Sequence, residues 1–185
     1  HAQIRREVAR KDMADHVKLG PGGIREIEFI AQVFQLIRGG RDPALQIRPT
    51  LKVLAFLADK RLLPPEKERE LAAAYDFLRR LEHRLQYIND AQTHKLPSGE
   101  MERARIAESM GFTNWAPFMT ALDTHREKVA RHFEQVFSEP EEGRHALAGL
   151  WEESTLGDEA LENIANLGFR QPQAVLQSLR SFRQS

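Results

Sequence analysis

One segment of this chain has an apolar pattern that fits a long helix and no strand. Between residues 66 and 89 the apolar positions follow one another at spacings of 3, 4, 3, 4 and 3, in the order Leu71, Ala74, Leu78, Leu81, Leu85 and Ile88. Since an α-helix turns once every 3.6 residues, these side chains fall on a single stripe. A stripe of this length must be covered by other helices, so the pattern predicts a helical bundle.

Helical signals also recur on both sides of this segment, whereas strand alternation is nearly absent. Four further helices are predicted: one over residues 24–37 that stops at Gly39 and Gly40, one that starts at Pro49 and carries Leu51, one capped by Ser98, and one capped by Asn114. We therefore expect an all-α protein, built as an antiparallel helical bundle with extra C-terminal helices.

The composition divides the chain into three parts. Residues 1–21 are predicted to form a charged N-terminal helix and a glycine-rich loop, and residues 22–137 to form the bundle. Residues 138–185 begin with an acidic, proline- and glycine-containing stretch that is typical of a linker, followed by short helical patterns. These helices are too short to bury a core of their own, so we expect them to dock elsewhere or to begin another domain. Because the chain starts without Met, we expect it to be a piece of a longer protein.

Charge and cysteine content narrow the function classes. The 27 Lys and Arg residues balance the 27 Asp and Glu residues, which removes the electrostatic argument for a nucleic-acid or membrane-surface partner. Without cysteine, a disulfide scaffold, a zinc ribbon and a thiol nucleophile are excluded, and a cytoplasmic location is expected. The seven histidines show no metal-ligand spacing, and no nucleophile elbow is found. We predict neither a metal site nor a catalytic residue within this chain.

The loop Gly20-Pro21-Gly22-Gly23 is the segment whose sequence most suggests a ligand. Its glycines would let backbone N–H groups approach an anion at the N-terminus of the next helix, with Lys18 and Arg25 nearby. The loop matches neither the P-loop nor the dinucleotide fingerprint, and a tight turn explains the same glycines. Two interpretations stay open: a site next to a nucleotide or phosphate, or a turn.

Glu26 is the unusual charge of the helix that follows. The polar side chains of this helix share a stripe formed by Arg25, Glu28, Gln32 and Gln35, and we expect Arg25 and Glu28 to form a solvated surface pair. Glu26 projects to the opposite, apolar side, where a carboxylate needs a partner. We predict that it pairs with an arginine of the long helix; the candidates, in order of preference, are Arg80, Arg84 and Arg79. These arginines are equally explained as a solvated charged face, or as a cluster that faces an acidic or phosphorylated ligand.

Several blocks of sequence resemble the glutamate–ammonia-ligase adenylyltransferase family, the bifunctional enzymes that adenylylate and deadenylylate glutamine synthetase. The first block is Lys18-Leu-Gly-Pro-Gly-Gly-Ile-Arg-Glu-Ile-Glu-Phe29, and the others cover residues 35–41, 77–86 and 89–97. Together they extend over about residues 15–137. The blocks look more like the N-terminal, adenylyl-removing half of these enzymes than like the adenylyl-attaching half. The PII uridylyltransferase has a related helical segment and is the nearest competitor.

This resemblance implies a reaction and partners for the intact enzyme. The reaction is phosphorolysis of an AMP–tyrosine bond to ADP, with Mg²⁺ and ATP or ADP as cofactors and with glutamine synthetase and the PII signalling protein as partners. The family's catalytic core has a Gly-Ser turn followed by an Asp-x-Asp pair, and this chain contains neither. We therefore expect the chain to bind no cofactor by itself, to be inactive alone, and to supply a helical wall of the cleft. The alternatives are a docking module for PII or glutamine synthetase, and a structural spacer.

Overall fold

The structure is a computed structural model that describes residues 13–89, 94–138, 161, 164, 165 and 171–177. Over these residues the chain contains one isolated bridge, between His16 and Lys95, and no longer strand. The five long helices are α1 (Ile24–Arg38), α2 (Thr50–Asp59), α3 (Pro65–Asn89), α4 (Glu100–Ser109) and α5 (Trp115–Ser138), and a short 3-10 helix (Pro43–Leu45) lies between α1 and α2. The predicted all-α class is confirmed.

The long helix α3 is the element on which the other helices pack. It contacts α1, α2, α4 and α5. Its predicted apolar stripe is no more than 1% exposed at Leu71, Ala74, Leu78, Leu81 and Leu85, while the side chain of Ile88 lies outside the described residues. Burial of this stripe stabilises the bundle, because its apolar side chains are removed from water by several neighbouring helices.

Helices α1 and α5 run in the same direction. Gly22, just before α1, lies against the backbone of Arg126. Seven residues later in both segments, the ring centroids of Phe29 and Phe133 are 5.7 Å apart. The two helices are therefore parallel and in register. This is possible because the three helices between them return the chain to the end of the bundle at which α1 begins.

Helix α3 runs antiparallel to α5. Glu70, near the start of α3, contacts His132 in the last part of α5, whereas Phe77, further along α3, packs on Phe118 in the first turn of α5. These two contacts give α3 and α5 the antiparallel arrangement that was predicted for the bundle.

One detail predicted for the helix ends is wrong, and one is confirmed. The residue before α4 is Gly99, in an extended conformation and without a side-chain cap, so Ser98 lies one residue too early to cap the helix. Leu51 is 41% exposed, because it precedes Val53 by two residues and faces away from the buried stripe of α2. Asn114 does cap α5, since its Oδ1 accepts the N–H of Ala116 at 3.1 Å.

Little of the predicted outer parts of the chain is described. Ile164 and Leu176 are 0% and 4% exposed and belong to the same apolar core as the bundle, so part of the C-terminal region docks on it. The predicted N-terminal helix lies almost entirely outside the described residues. The division into 1–21, 22–137 and 138–185 stays a prediction.

The carboxylate of Glu70 joins α3 to α5. It accepts a hydrogen bond from Nε2 of His132 at 2.6 Å, and its oxygens lie 3.1 Å from Nζ of Lys128 and 3.4 Å from Nη2 of Arg131. The hydrogen bonds from His132 and then Lys128 hold the pKa of Glu70 below its ordinary value. The ionised form of Glu70 is thus stabilised by folding.

Replacing Glu70 with Gln should lower the free energy of unfolding at pH 7 by about 1 kcal/mol. Because the folded-state pKa is depressed, this contribution is present above the ordinary glutamate pKa of about 4.3 and is lost as the pH falls through the folded-state value. Urea unfolding at pH 7 and at pH 3 measures it, and the wild type and Glu70→Gln should converge at the lower pH. Asp76→Asn, which removes an exposed pair with Arg80, is the control. An equal loss from both variants would contradict the prediction.

Candidate functional site

The segment before α1 is held beside residues 94–97. The N–H of Val17 donates to the carbonyl of His94 at 2.8 Å, and the N–H of Leu96 donates to the carbonyl of Asp15 at 3.0 Å. The rings of His16 and His94 stack with centroids 5.4 Å apart. We call residues 13–23 and 94–97 together the junction. It contains the glycine loop and Lys18, and is therefore the candidate functional site.

A buried carboxylate attaches the junction to α3. Glu82 is 2% exposed; its Oε2 accepts a hydrogen bond from Nη1 of Arg79 at 2.5 Å, and its Oε1 lies 3.1 Å from Nδ1 of His94. A buried carboxylate is tolerated when it is paired in this way. In the sequence, Glu82 belongs to the charged face that also carries Arg79, Arg80 and Arg84. Its position four residues after Leu78, on the edge of the apolar stripe, was the signal of its burial.

Close backbone packing explains the glycines of the loop. A Cβ on Gly22 would lie 2.3 Å from the carbonyl oxygen of Arg126, and Gly22 has a φ of +68°. A Cβ on Gly20 would lie 2.3 Å from the carbonyl oxygen of Met13, and a Cβ on Gly23 would lie 2.7 Å from the carbonyl oxygen of Lys18. Such distances leave no room for a side chain, so the loop acts as a tight turn.

The N–H groups of the loop already have acceptors within the protein. Those at Gly20, Gly22, Gly23, Ile24, Arg25 and Glu26 donate over 2.8 to 3.3 Å to nearby carbonyl or carboxylate oxygens. These bonds favour the interpretation of the loop as a turn, because each N–H would have to leave an existing bond to bind phosphate. Proximity of a nucleotide to Lys18, Gly20, Gly22, Gly23 or Arg25 stays a prediction.

The partner of Glu26 is a backbone group rather than an arginine. Its Oε2 accepts the N–H of Gly22 at 3.0 Å. As the third residue of α1, the carboxylate also lies at the positive end of the helix dipole. Burial raises the pKa of Glu26, the hydrogen bond from Gly22 lowers it in part, and the nearby charge of Glu134 raises it again. The half-buried carboxylate is compensated locally, at the start of its own helix.

The predicted ion pair between Glu26 and α3 is wrong. The three candidate arginines have other partners: Arg79 bonds to Glu82, Arg80 pairs with Asp76 at 3.2 Å, and Arg84 donates to the carbonyl of Ser109 at 2.8 Å. The physical reason is that a helix N-terminus offers N–H groups within reach of a carboxylate in its first turn, so no charge from a neighbouring helix is needed.

Arg25 and Glu28 do pair, but not as a solvated surface pair. Nη1 of Arg25 lies 3.7 Å from Oε2 of Glu28, and the two side chains are only 11% and 19% exposed. The hydroxyl of Tyr75, on α3, donates to Oε1 of Glu28 at 3.3 Å. Burial lowers the pKa of Arg25, and Glu28 opposes part of this effect. The polar stripe of α1 thus lies against α3 at this point.

Positive groups surround His16. Its Nδ1 accepts the N–H of Leu19 at 3.1 Å, which leaves Nε2 to carry the proton of the neutral ring. Burial, followed by the charges of His94, Lys95, Lys18 and Arg126, lowers the pKa of His16. At neutral pH the ring is therefore uncharged and can donate from Nε2.

Arg126 was not identified from the sequence, although it connects α5 to the junction. Its Nη1 donates to the carbonyl of Ala14 at 2.7 Å, and its backbone packs against Gly22. Burial lowers the pKa of Arg126, and the charges of Asp123 and Asp15 oppose this. One residue thus contacts the junction through both its side chain and its main chain, which no pattern in the sequence indicates.

Neither a metal centre nor a membrane span is found in the described part of the chain. In that part no three His, Asp or Glu side chains lie close enough together to hold a metal ion. None of the helices over the described ranges is both long and apolar enough to cross a bilayer.

Comparison with known proteins identifies the family. A sequence model of the family described as GlnD PII-uridylyltransferase matches residues 1–137. The chain belongs to that family. It is also similar to proteins named bifunctional glutamine synthetase adenylyltransferase/adenylyl-removing enzyme. The protein of Chromobacterium violaceum is 55% identical over 188 residues, which covers 100% of this chain and 21% of the relative.

Two more relatives carry the same name. The protein of Aromatoleum aromaticum is 54% identical over 169 residues, covering 91% of this chain and 18% of the relative, and that of Nitrosomonas eutropha is 59% identical over 138 residues, covering 75% and 15%. The resemblance noted from the sequence blocks is confirmed. The chain spans about a fifth of the length of the first two relatives described, those of Chromobacterium and Aromatoleum.

Replacing Arg79 with Met should cost about 3 kcal/mol of stability, because the buried Glu82 loses a cationic partner. Replacing its neighbour Arg80 with Met should cost no more than about 0.5 kcal/mol, since that pair with Asp76 is exposed. Urea unfolding of both variants at pH 7 tests the contrast. Equal losses would show that the buried Glu82 does not depend on Arg79 for compensation of its charge.

Replacing Gly22 with Ala should cost about 2–4 kcal/mol, from an unfavourable positive φ together with the collision with Arg126. Gly111→Ala is the matched control, because Gly111 also has a positive φ, +86°, but nothing lies within 4 Å of an added Cβ. That variant should lose only about 1 kcal/mol. If the two unfolding free energies are the same, close packing at Gly22 is refuted.

Proposed function

We propose that this chain is the helical region of an enzyme that attaches AMP to glutamine synthetase and removes it, and that it belongs to the adenylyl-removing half. The observation that carries the proposal is the 55% identity, over the whole chain, to a protein of that name. In the reaction of that half, inorganic phosphate displaces the tyrosine oxygen from the adenylyl phosphorus, which yields ADP and the free tyrosine. Magnesium would stabilise the attacking and leaving oxygens.

In this proposal the chain orients another part of the enzyme and supplies no catalytic group itself. It has no Gly-Ser turn followed by an Asp-x-Asp pair, so Mg²⁺ and ATP or ADP would bind to another part of the enzyme. This chain alone should therefore be inactive. The junction is held by the backbone pairing with 94–97, by the Glu82 pair and by Arg126. These contacts would fix the polypeptide that enters the bundle and so orient a catalytic core relative to it. We expect this enzyme to act in the cytoplasm.

A second candidate follows from the name of the matching family. That name refers to a uridylyltransferase of PII, so this helical region could serve an enzyme that modifies PII, or could dock PII as a regulator. Assaying the intact protein with glutamine synthetase and ATP, and separately with PII and UTP, distinguishes these functions. The identity of 43–59% to the adenylyltransferases favours the first.

In the intact protein that contains this chain, Arg126→Met should reduce phosphate-dependent removal of AMP by about tenfold or more, because small misplacements of reacting groups are costly. Attachment of AMP from ATP should be unchanged, since the proposal places the chain in the removing half. The two rates are measured separately on adenylylated and unmodified glutamine synthetase. Arg105→Met, an exposed position on α4, is the control.

A loss of attachment with normal removal would place the chain in the other half of the enzyme. Unchanged rates in both directions would show that the junction has no role in orienting the core. Unfolding curves for Arg126→Met and for the conservative Arg126→Lys separate a loss of orientation from a loss of folded protein.

A further inference from the structure

Two histidine side chains stack at the junction. The rings of His16 and His94 have centroids 5.4 Å apart and planes inclined by 28°. The segments that carry them are paired, because His16 and Lys95 form an isolated antiparallel bridge. Main-chain pairing thus places the two rings side by side, although they are far apart in the sequence.

One nitrogen of each ring is held by the protein. Nδ1 of His16 accepts the N–H of Leu19 at 3.1 Å. Nδ1 of His94 is buried and lies 3.1 Å from the carboxylate of Glu82, although its N–H is not aligned on that oxygen. The side chain of His94 is nevertheless 21% exposed, so the accessible surface belongs to its other ring atoms. In both rings Nε2 is without a partner among the described residues and remains for a ligand.

The two Nε2 atoms have complementary roles. In the neutral ring of His16, Nδ1 accepts a hydrogen bond, so Nε2 carries the proton and donates. In His94, the carboxylate of Glu82 beside Nδ1 favours the proton on that nitrogen, so Nε2 of the neutral ring has the lone pair and accepts. A ligand that bridges the two Nε2 atoms must therefore offer both an acceptor and a donor.

Positive groups of the junction and of α5 lie around the two rings. Burial lowers the pKa of His16, and the charges that lower it further are all positive: His94, Lys95, Lys18 and Arg126. Two nitrogens of Arg126, Nε and Nη2, are buried and have no hydrogen-bond acceptor among the described residues. The junction therefore has more cationic donors than acceptors, and this favours a bound anion.

The acids near the junction do not remove this excess. Glu82 is buried and already paired. The charges of Asp123 and Asp15 act on Arg126, but neither carboxylate accepts a hydrogen bond from its buried Nε or Nη2. Positive charge at the two rings is thus left without compensation by the described part of the chain.

The proposed reaction uses an anion with the required donor and acceptor. An oxygen of HPO₄²⁻ forms a bond to the adenylyl phosphorus, the bond from phosphorus to the tyrosine oxygen breaks, and the proton of HPO₄²⁻ ends on that oxygen. The phosphate thereby becomes the β-phosphate of ADP. HPO₄²⁻ can accept from Nε2 of His16 and donate its P–OH to Nε2 of His94. A carboxylate from another part of the polypeptide has no proton to donate.

We propose that Nε2 of His16 and Nε2 of His94, with the charge of Lys18 beside them, bind a phosphate group: inorganic phosphate as substrate and the β-phosphate of ADP as product. The choice of these two ligands rests on the proposed function. There the chain only orients the catalytic core, whereas here it also contacts the substrate. Magnesium and the adenosine stay with the other part of the enzyme, and Glu82 is a positioning residue that holds His94.

The test uses the intact protein that contains this chain, with adenylylated glutamine synthetase and varied inorganic phosphate. His16→Asn and His94→Asn keep a polar group near the place of Nδ1 and remove Nε2. Each should raise the KM for phosphate about tenfold or more, the loss expected for one hydrogen bond to a charged group, with kcat and the KM for glutamine synthetase unchanged. Inhibition by ADP should weaken by a similar factor, whereas inhibition by AMP should not.

Two further variants separate a lost ligand contact from a structural effect. His83→Asn is the matched control, because His83 is an exposed histidine of α3. His16→Gln, whose side-chain amide reaches the region of Nε2, should bind phosphate better than His16→Asn. Calorimetric titration of the intact protein with inorganic phosphate measures binding without turnover and without glutamine synthetase, and unfolding curves identify any variant that is not folded.

The inference and the proposed function fail on different results. If the wild type removes AMP and the Asn variants keep its KM for phosphate, or if His83→Asn has an equal effect, the phosphate site is wrong and the function stands. A raised KM for glutamine synthetase with an unchanged KM for phosphate also overturns the site, because the histidines then only hold the structure. If the titration shows phosphate binding that the Asn variants lose, but the wild type removes no AMP, the site stands and the proposed function is wrong.

Discussion

Burial of one helix on several sides is the constraint on which the rest of this structure depends. The stripe of α3 is covered by four helices, and each of them is amphipathic or short enough to need that contact. Since α3 packs against all four helices, its own polar residues must lie outside the stripe or be paired. Glu82, on the edge of the stripe, is paired with Arg79 and His94, and this pairing attaches the junction to the bundle.

The junction shows how a loop that suggests ligand binding can be required for packing. Its glycines allow the main chain to pass within contact distance of α5 and of its own preceding turn. Its N–H groups donate to carbonyl oxygens of residues 16–23 and to the carboxylate of Glu26. Because its main chain packs so closely, the loop has little freedom to move. This supports the proposed role of the junction in orienting a catalytic core, rather than a role of the loop main chain in binding the nucleotide directly.

The electrostatic contacts of the bundle are of two kinds, which differ in how far apart the partners lie along the chain. Glu26 finds its partner four residues away, and Arg80 finds Asp76 within the same helix. Other contacts join distant segments, such as Glu70 with His132, or Arg126 with Ala14.

The sequence by itself determined the helices, their order and the buried stripe, because hydrophobic periodicity and helix-ending residues act over a few positions. It also determined the family, through short blocks whose order is specific. Only the tertiary structure decided which charges meet. The sequence placed Glu26 and the arginines of α3 on defined faces, but the partner of Glu26 depends on the path of the glycine loop. The roles of Glu82 and Arg126 likewise depend on contacts between residues far apart in the chain. Helical spacing contains no information about such contacts, since they arise from how whole helices pack against one another.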